Sequence, residues 1–281
     1  MSTSISSAEL EQRFKALKTD IREAGLHVMH MRKMGQAEVR YKADESPVTT
    51  ADIWANTFLR EAIEKRFPAE PVVGEEDEVK SYPAGSGLVW YLDPIDGTNS
   101  FVKGGKDYYL LAGLVYEGQP VLGMHYRPET DTMLYGWKGF GAGLEKNQRN
   151  PERLYPKLTE WGPASRIFIK SYAEEIRERV KKLGVTRAKY LPGMVDMVGP
   201  LFGMSEGFVS YRRTAFWDLA APAAIMASAG FRHSSEGFNG ESPQLFNNGG
   251  WHTPFYYSLP PNTPDSFIQG LFDIDAAFSE R

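Results

Sequence analysis

Three apolar runs, Tyr109–Tyr116, Val121–Tyr126 and Met133–Trp137, follow one another with only Glu117-Gly118 and a Pro128–Asp131 turn between them. Connections this short join antiparallel neighbours, since a parallel return needs a crossover of roughly a dozen residues or more. The middle of the chain is therefore committed to an antiparallel meander, and the rest must pack around it. Upstream, Leu10, Phe14, Leu17, Ile21, Ala24, Val28 and Met31 recur at steps of four and three, the spacing of one helical face. Ser6 with Glu9 fits a capping box and Gly35 a stop. A second helix is predicted from about Ala51 to Arg66, ended by Pro68, while Pro71–Val73 and Leu88–Leu92 read as strands feeding acidic segments. After a Pro- and charge-rich link at Asn147–Pro163, strands and helices alternate. Strands are predicted at Arg166–Lys170, Ala188–Leu191 and Phe208–Tyr211, and helices at Ala173–Leu183, Val195–Met204 and Trp217–Ala229. The fold class is read as α+β, with a boundary near residue 150 between an N-terminal α+β domain (1–150) and a C-terminal alternating α/β domain (151–281).

The 281 residues include no cysteine, which excludes disulfides, zinc–thiolate centres and thiol nucleophiles; any metal must be held by oxygen or imidazole. Asp and Glu total 36 against 32 Lys and Arg, with no basic cluster, which argues against polymeric nucleic acid as a partner. Met1–Ser7 is polar and shows no signal-peptide pattern. The most apolar stretch, Leu219–Phe231, carries Pro222 and Gly230 and falls short of the ~20 residues that span a bilayer. A soluble, cytoplasmic protein with no membrane partner is expected.

Chemistry concentrates in four acidic segments. In Asp93-Pro94-Ile95-Asp96-Gly97-Thr98, Pro94 stiffens a bend that turns Asp93 and Asp96 to one side with the Ile95 carbonyl between them. Three hard oxygens then converge, as Mg²⁺ prefers. Gly97 and Thr98 follow at a predicted helix start, where backbone N–H groups can seat phosphate. Asp-Pro and Asp-Gly are also ordinary turn dipeptides, so this segment alone does not decide. In Gly74-Glu75-Glu76-Asp77-Glu78, Glu75 is the first carboxylate after a buried strand and the better placed to enter a cleft; Asp77 and Glu78 read as a solvated loop. Asp218, after Trp217, fits either a metal ligand or the N-cap of the following helix. Asp52, in the first turn of the second helix, fits a dipole-favourable acid.

Taken in order, SPVTTAD at Ser46–Asp52, GEE at Gly74–Glu76, DPIDGT at Asp93–Thr98 and WD at Trp217-Asp218 resemble the inositol monophosphatase superfamily of metal-dependent, lithium-sensitive phosphatases. The resemblance spans roughly residues 38–230. It implies a layered αβαβα sandwich, usually a homodimer. It also implies a first Mg²⁺ held by Glu75, Asp93 and the Ile95 carbonyl, and a second by Asp93, Asp96 and Asp218, with Glu75 able to help retain a third. The implied reaction is direct attack of a metal-activated water on the phosphorus of a small phosphorylated metabolite. Glu75 and Thr98 orient the water, Asp52 buttresses Thr98, and the amides of Gly97 and Thr98 hold phosphate.

Inositol-phosphate enzymes commonly carry a glutamate seven residues before the WD aspartate; here that position is Tyr211. Arg212 and Arg213 follow, and either can neutralise another phosphate, as in a 3′(2′),5′-bisphosphate nucleotide. Tyr211, Arg212 and Arg213 are therefore the substrate-specificity candidates. Lys42–Asp52 resembles the versions in bisphosphate nucleotidases and in histidinol-phosphate phosphatases, whereas Gly74 stands where nucleotidases often have serine. Inositol or sugar phosphate, bisphosphate nucleotide and histidinol phosphate all stay open as substrates. A non-catalytic protein that binds a phosphorylated metabolite would lack a ligand, and none is missing. Gly203-Met204-Ser205-Glu206-Gly207 matches a serine-hydrolase elbow, with His233 and His252 downstream, but its predicted context is helix then strand, the reverse of what an elbow needs. Gly139–Gly143 reads as the end of the meander rather than a nucleotide loop, and the five histidines read as surface or packing residues.

Overall fold

The computed structural model describes residues 5–78, 80, 82, 87–149, 151–187, 195–234, 252–253 and 255–279. It begins with α1 (Ser7–Lys33), a hairpin of β1 (Val39–Tyr41) and β2 (Pro47–Thr49), and α2 (Thr50–Arg66). β3 (Val72–Gly74), β4 (Leu88–Asp96) and the short α3 (Thr98–Val102) lead into β5 (Tyr109–Tyr116), β6 (Gln119–Arg127), β7 (Thr132–Trp137), β8 (Gly141–Lys146) and β9 (Glu152–Leu154). Then come β10 (Arg166–Lys170), α4 (Glu174–Lys182), β11 (Thr186–Arg187), α5 (Val195–Val198), β12 (Gly207–Ser210), β13 (Thr214–Ala215) and α6 (Phe216–Ser228). β14 (Arg232–His233), β15 (His252–Thr253), β16 (Tyr256–Leu259) and α7 (Asp265–Ser279) complete the elements.

Local chemistry sets the helix starts. The Ser6 hydroxyl accepts from the Glu9 amide while the Glu9 carboxylate accepts from Ser6, and Thr49 with Asp52 repeats the box at α2. The larger sheet runs β3-β4-β5-β6-β7-β8-β9, with β3 parallel to β4 and every other pair antiparallel, so the expected meander is present and extends through Gly139–Gly143 into β8. The smaller sheet runs β11-β10-β12-β16-β14. Its β10, β11 and β12 are parallel, as strand–helix alternation requires, but β16 joins antiparallel to both β12 and β14. The predicted helix Val195–Met204 is only α5 followed by a 3₁₀ turn at Gly199–Phe202, because Pro200 has no amide to continue an α-helix. The predicted strand Ala188–Leu191 lies outside the described residues.

Alternation along the strands sorts side chains into layers. Trp90, Leu92, Leu110 and Met124 face α1 and α2, where Leu10, Phe14, Leu17 and Ile21 cover them. Val89, Tyr91 and Leu111 face the other way, onto α6 and onto Phe168, Phe208 and Tyr256 of the smaller sheet. Ile167, Ile169, Val209 and Tyr257 point outward beneath Ile176 and Val180 of α4 and Phe267, Ile268 and Leu271 of α7. Helices, sheet, α6, sheet and helices thus stack as five layers, αβαβα.

The middle layer is fitted by glycine. Gly113, Gly123 and Gly136 are cross-strand neighbours on β5, β6 and β7. A Cβ at Gly113 would sit 2.5 Å from the Ala220 methyl, and one at Gly136 would sit 3.2 Å from the Ile225 Cα. This row of missing side chains lets α6 lie flush on the sheet, and its first turn brings Asp218 to the end of β4.

Candidate active site

Strand parity places Asp93 on the face of Val89 and Tyr91, toward α6. There the ladder with β5 breaks: Asp93 pairs with Leu111 and Asp96 with Tyr109, with a register shift between them at Pro94-Ile95. The bend expected from Pro94 is this bulge. The Asp93 Oδ1 accepts from the Ile95 amide at 3.0 Å, which fixes the carboxylate over the bend. Because β3 and β4 are parallel, Gly74 lies opposite Leu92, and the Glu75 amide donates to the Leu92 carbonyl at 3.0 Å. Two strands therefore deliver Glu75 and Asp93 side by side. Asp218, the third residue of α6, joins them through a hydrogen bond with Asp93. It is not the N-cap; Ala215 occupies that position.

The electrostatics follow from this crowding. Burial first, then repulsion from Glu75, Asp96, Asp218 and Asp52, pushes the Asp93 carboxyl well above the ordinary carboxylate range. Asp218 is pushed up to about 7 by desolvation and by Glu75, while Lys170, the Asp93 hydrogen bond and Lys42 pull the other way. Among the described residues, no three Asp, Glu or His side chains already enclose a point that could hold a metal ion. The donor chemistry nevertheless fits Mg²⁺: every candidate ligand is a hard oxygen, and these carboxylates oppose one another's ionisation until a cation joins them. The Ile95 carbonyl accepts from Thr98 Oγ1 at 2.9 Å and keeps a second lone pair.

A pH dependence follows. Both acids have folded-state values raised above the ~3.9 of an unfolded aspartate, so the folded state binds more protons between about pH 4 and 7. Their stabilising contribution is complete below that window and is lost as pH rises through it. In EDTA the melting temperature should fall from pH 5 to pH 8, and Mg²⁺ should restore more at pH 8 than at pH 5. A scanning-calorimetry series in which Asp218→Asn shows the same slope as the native chain would contradict this assignment.

Thr98 and Asp52 meet as expected. Thr98 Oγ1 lies 3.1 Å from Asp52 Oδ1, and the other Asp52 oxygen accepts from the Thr49 amide at 2.8 Å and the Thr49 hydroxyl at 2.5 Å. Burial raises the Asp52 pKa, although these three hydrogen bonds work against it. Gly97 has φ +88°, and a Cβ there would sit 2.8 Å from the Asp107 carbonyl, so the turn before Thr98 needs glycine. The helix it opens, α3, has five residues, so any phosphate seat is the turn's own amides rather than a long helix dipole.

Two residues outside the expected set support the cluster. Asp77 is not solvated: it pairs with Arg60, takes the Asn56 amide at 2.8 Å, and accepts from the Gly74 amide at 2.5 Å, which fixes the turn carrying Glu75. A side chain at Gly74 would lie 2.9 Å from Asn56 Cγ, so Asn56 closes that position. Lys42 Nζ lies 2.8 Å from Glu75 Oε1 and 2.7 Å from Glu76 Oε1. Burial pulls its pKa down, but the two carboxylates outweigh that and hold it above the usual lysine range.

The specificity candidates divide. The Tyr211 hydroxyl donates to the Leu271 carbonyl of α7 and its ring packs on Phe255 at 5.0 Å, so the structure does not bring that hydroxyl to the acidic cluster. Arg212 stacks over the Tyr172 ring at 3.9 Å and bonds its hydroxyl. Arg213 lies 3.3 Å from His252 Nδ1, and the His252 ring is 6.3 Å from Trp217, beside Asp218. The Lys80 ammonium sits 5.3 Å over the Trp217 ring.

The rival motifs find no chemistry. Ser205 is buried, its hydroxyl has no hydrogen-bond partner among the described residues, and it stands between a 3₁₀ turn and β12. His125 is a packing residue whose pKa burial lowers to about 4. No described helix is long and apolar enough to cross a membrane.

Comparison with known proteins places the fold and the family. The family model described as "Inositol monophosphatase family" matches residues 9–253. The 3′(2′),5′-bisphosphate nucleotidase CysQ of Salmonella typhimurium is 29% identical over 198 residues, covering 69% of this chain and 78% of that protein. The fructose-1,6-bisphosphatase/inositol-1-monophosphatase of Aquifex aeolicus is 28% identical over 205 residues, covering 70% and 75%. Among solved structures, the Thermotoga maritima IMPase superposes with a TM-score of 0.71 at 23% identity, covering 95% of this chain and 99% of that one. An IMPase/NADP phosphatase complexed with Mg²⁺ and phosphate superposes with a TM-score of 0.73 at 16% identity, covering 93% and 95%. With the family match spanning most of its length, the chain belongs to the inositol monophosphatase family and is a phosphoric monoester hydrolase.

Proposed function

We propose that the protein is a Mg²⁺-dependent phosphomonoesterase of small phosphorylated metabolites, with 3′(2′),5′-bisphosphate nucleotides as the favoured substrate class. The observation that carries the reading is the convergence of Glu75, Asp93 and Asp218, delivered by β3, β4 and the first turn of α6, whose mutual repulsion a divalent cation relieves. Glu75, Asp93 and the Ile95 carbonyl would hold one ion, and Asp93, Asp96 and Asp218 a second. Bound there, Mg²⁺ supplies Lewis-acid polarisation of the phosphoryl group and makes water a better nucleophile. Glu75 and Thr98 orient the attacking water; the Thr98 hydroxyl, held between Asp52 and the Ile95 carbonyl, has a fixed direction in which to accept its hydrogen bond. The amides of Gly97 and Thr98 seat phosphate oxygens. The family resemblance supports a homodimer.

The nucleotide preference is supported by the CysQ likeness and by the Arg212, Arg213 and Tyr172 group beyond the ends of β10 and β12. The cyclitol or sugar phosphate reading is favoured by Gly74, which Asn56 keeps free of a side chain, and by the Aquifex relative. The deciding measurement is kcat/KM with Mg²⁺ for 3′-phosphoadenosine 5′-phosphate, inositol 1-phosphate, histidinol phosphate and fructose 1,6-bisphosphate, with and without Li⁺. The nucleotide should lead, Li⁺ should inhibit, and Arg213→Ala should cost the nucleotide about tenfold or more while sparing monophosphates. Tight binding without turnover on all four would instead identify a non-catalytic phosphometabolite-binding protein.

A further inference from the structure

Lys42 stands in the loop of the small β1–β2 hairpin, and its ammonium reaches across 33 positions to Glu75. Its loop is shaped by its own bonds. The Lys42 amide donates to the Ser46 carbonyl at 2.9 Å, the Glu45 amide to the Lys42 carbonyl at 3.0 Å, and Asp44 accepts from the Ser46 amide at 3.1 Å and hydroxyl at 2.6 Å. All three residues of β1 are exposed. The ion pair is therefore not what folds the loop; Pro47–Thr49 of β2 are buried and anchor one side of the hairpin, which leaves β1 and the Lys42 side chain as the parts that can shift.

The pair matters to Glu75 instead. Glu75 faces Asp93 and Asp218, and Lys42 supplies a compensating positive charge there. A carboxylate oxygen can accept a hydrogen bond and ligate a metal at once, but an ammonium 2.8 Å from Glu75 Oε1 places a like charge beside any divalent ion bound to that carboxylate, and the two repel. Glu76 lies 2.7 Å from the same ammonium and can keep it when Glu75 is taken.

We propose that Lys42 is a resident counter-ion of Glu75 whose charge the first divalent cation must work against, the ammonium shifting toward Glu76 as the ion binds, so that this lysine sets the Mg²⁺ concentration at which the site fills. The inference rests on the reading of Glu75 as a metal ligand. Displacing a charge-assisted hydrogen bond subtracts from the affinity of the incoming ion, and removing the lysine should return it.

The test is Mg²⁺ titration by calorimetry, with thermal denaturation in EDTA, on the native chain, Lys42→Met, Lys42→Gln and Lys42→Arg. The Met and Gln variants should bind Mg²⁺ about tenfold or more tightly and melt at lower temperature in EDTA. The Arg variant, which keeps the pair, should bind no more tightly than the native chain. Adding Glu75→Gln to Lys42→Met should abolish the gain. Unchanged or weaker Mg²⁺ affinity in Lys42→Met and Lys42→Gln would overturn the inference, leaving Lys42 a loop tether, while the phosphatase reading stands. Absence of Mg²⁺ binding in every variant and in the native chain would overturn both.

Discussion

Asp93→Asn is expected to abolish turnover, by a factor on the order of a thousand or more, while raising the melting temperature of the protein in EDTA. The two effects have one cause. Asp93 is buried, its ionisation is opposed by its neighbours, and Glu75, Asp96 and Asp218 all press on it. Asparagine keeps the shape and can still accept from the Ile95 amide through its oxygen. Its nitrogen can donate to Asp218, keeping the hydrogen bond between the two side chains without requiring a shared acid proton. Removing a buried, poorly compensated charge stabilises a protein by amounts on the order of a few kcal/mol. The same change removes the carboxylate proposed to bridge both ions. Kinetics at saturating Mg²⁺ and denaturation in EDTA check the pair of outcomes. A variant that turns over within a few-fold of the native enzyme, or one that melts lower in EDTA, would refute the bridging role.

Gly123→Ala is expected to cost about 3 kcal/mol or more, at the upper end of overpacking penalties. The added methyl would meet the Ala221 carbonyl oxygen and lie 2.9 Å from its carbonyl carbon. These are backbone atoms of α6, which cannot rotate aside as a side chain would. The helix must lift from the sheet, and Asp218 in its first turn must move with it. Urea denaturation should therefore show the stability loss, and the fraction still folded should have a lower kcat with weaker Mg²⁺ dependence. Gly162→Ala, where nothing lies within 4 Å, is the neutral control. Equal stability of the two variants would mean that the glycine row does not seat α6.

The parts of this molecule that sequence patterns reveal are those whose information is local. The two capping boxes, the meander and the Asp93–Thr98 bend each depend on residues within a few positions of one another, and each forms as expected. Asp77 shows the opposite case. An acid among acids reads as solvated, and its partners Asn56 and Arg60 lie 21 and 17 positions away on α2. Tyr211 shares this fate: its place before Asp218 suggests a substrate contact, but α7 arrives from 60 positions downstream to take its hydroxyl. α7, although it carries Phe267, Ile268, Leu271 and Ile274 at helical spacing, is not among the predicted elements, and neither is the antiparallel entry of β16. Two- and four-residue strands carry too little pattern to declare a partner or a direction. The acidic cluster itself was readable because its members precede or follow strands and turns with strong local signals. That they meet is a property of the larger sheet and of α6.

The layering has one further consequence. The carboxylates proposed to hold the metal hang from the larger sheet and from the helix pressed onto it, whereas Tyr172, Arg212 and Arg213, proposed to meet the substrate, project just beyond two strand ends of the smaller sheet. On that proposal, reaction and recognition are carried on separate girders. A chain built this way can acquire a new substrate by redecorating the ends of β10 and β12, with the machinery that breaks the phosphate ester left untouched.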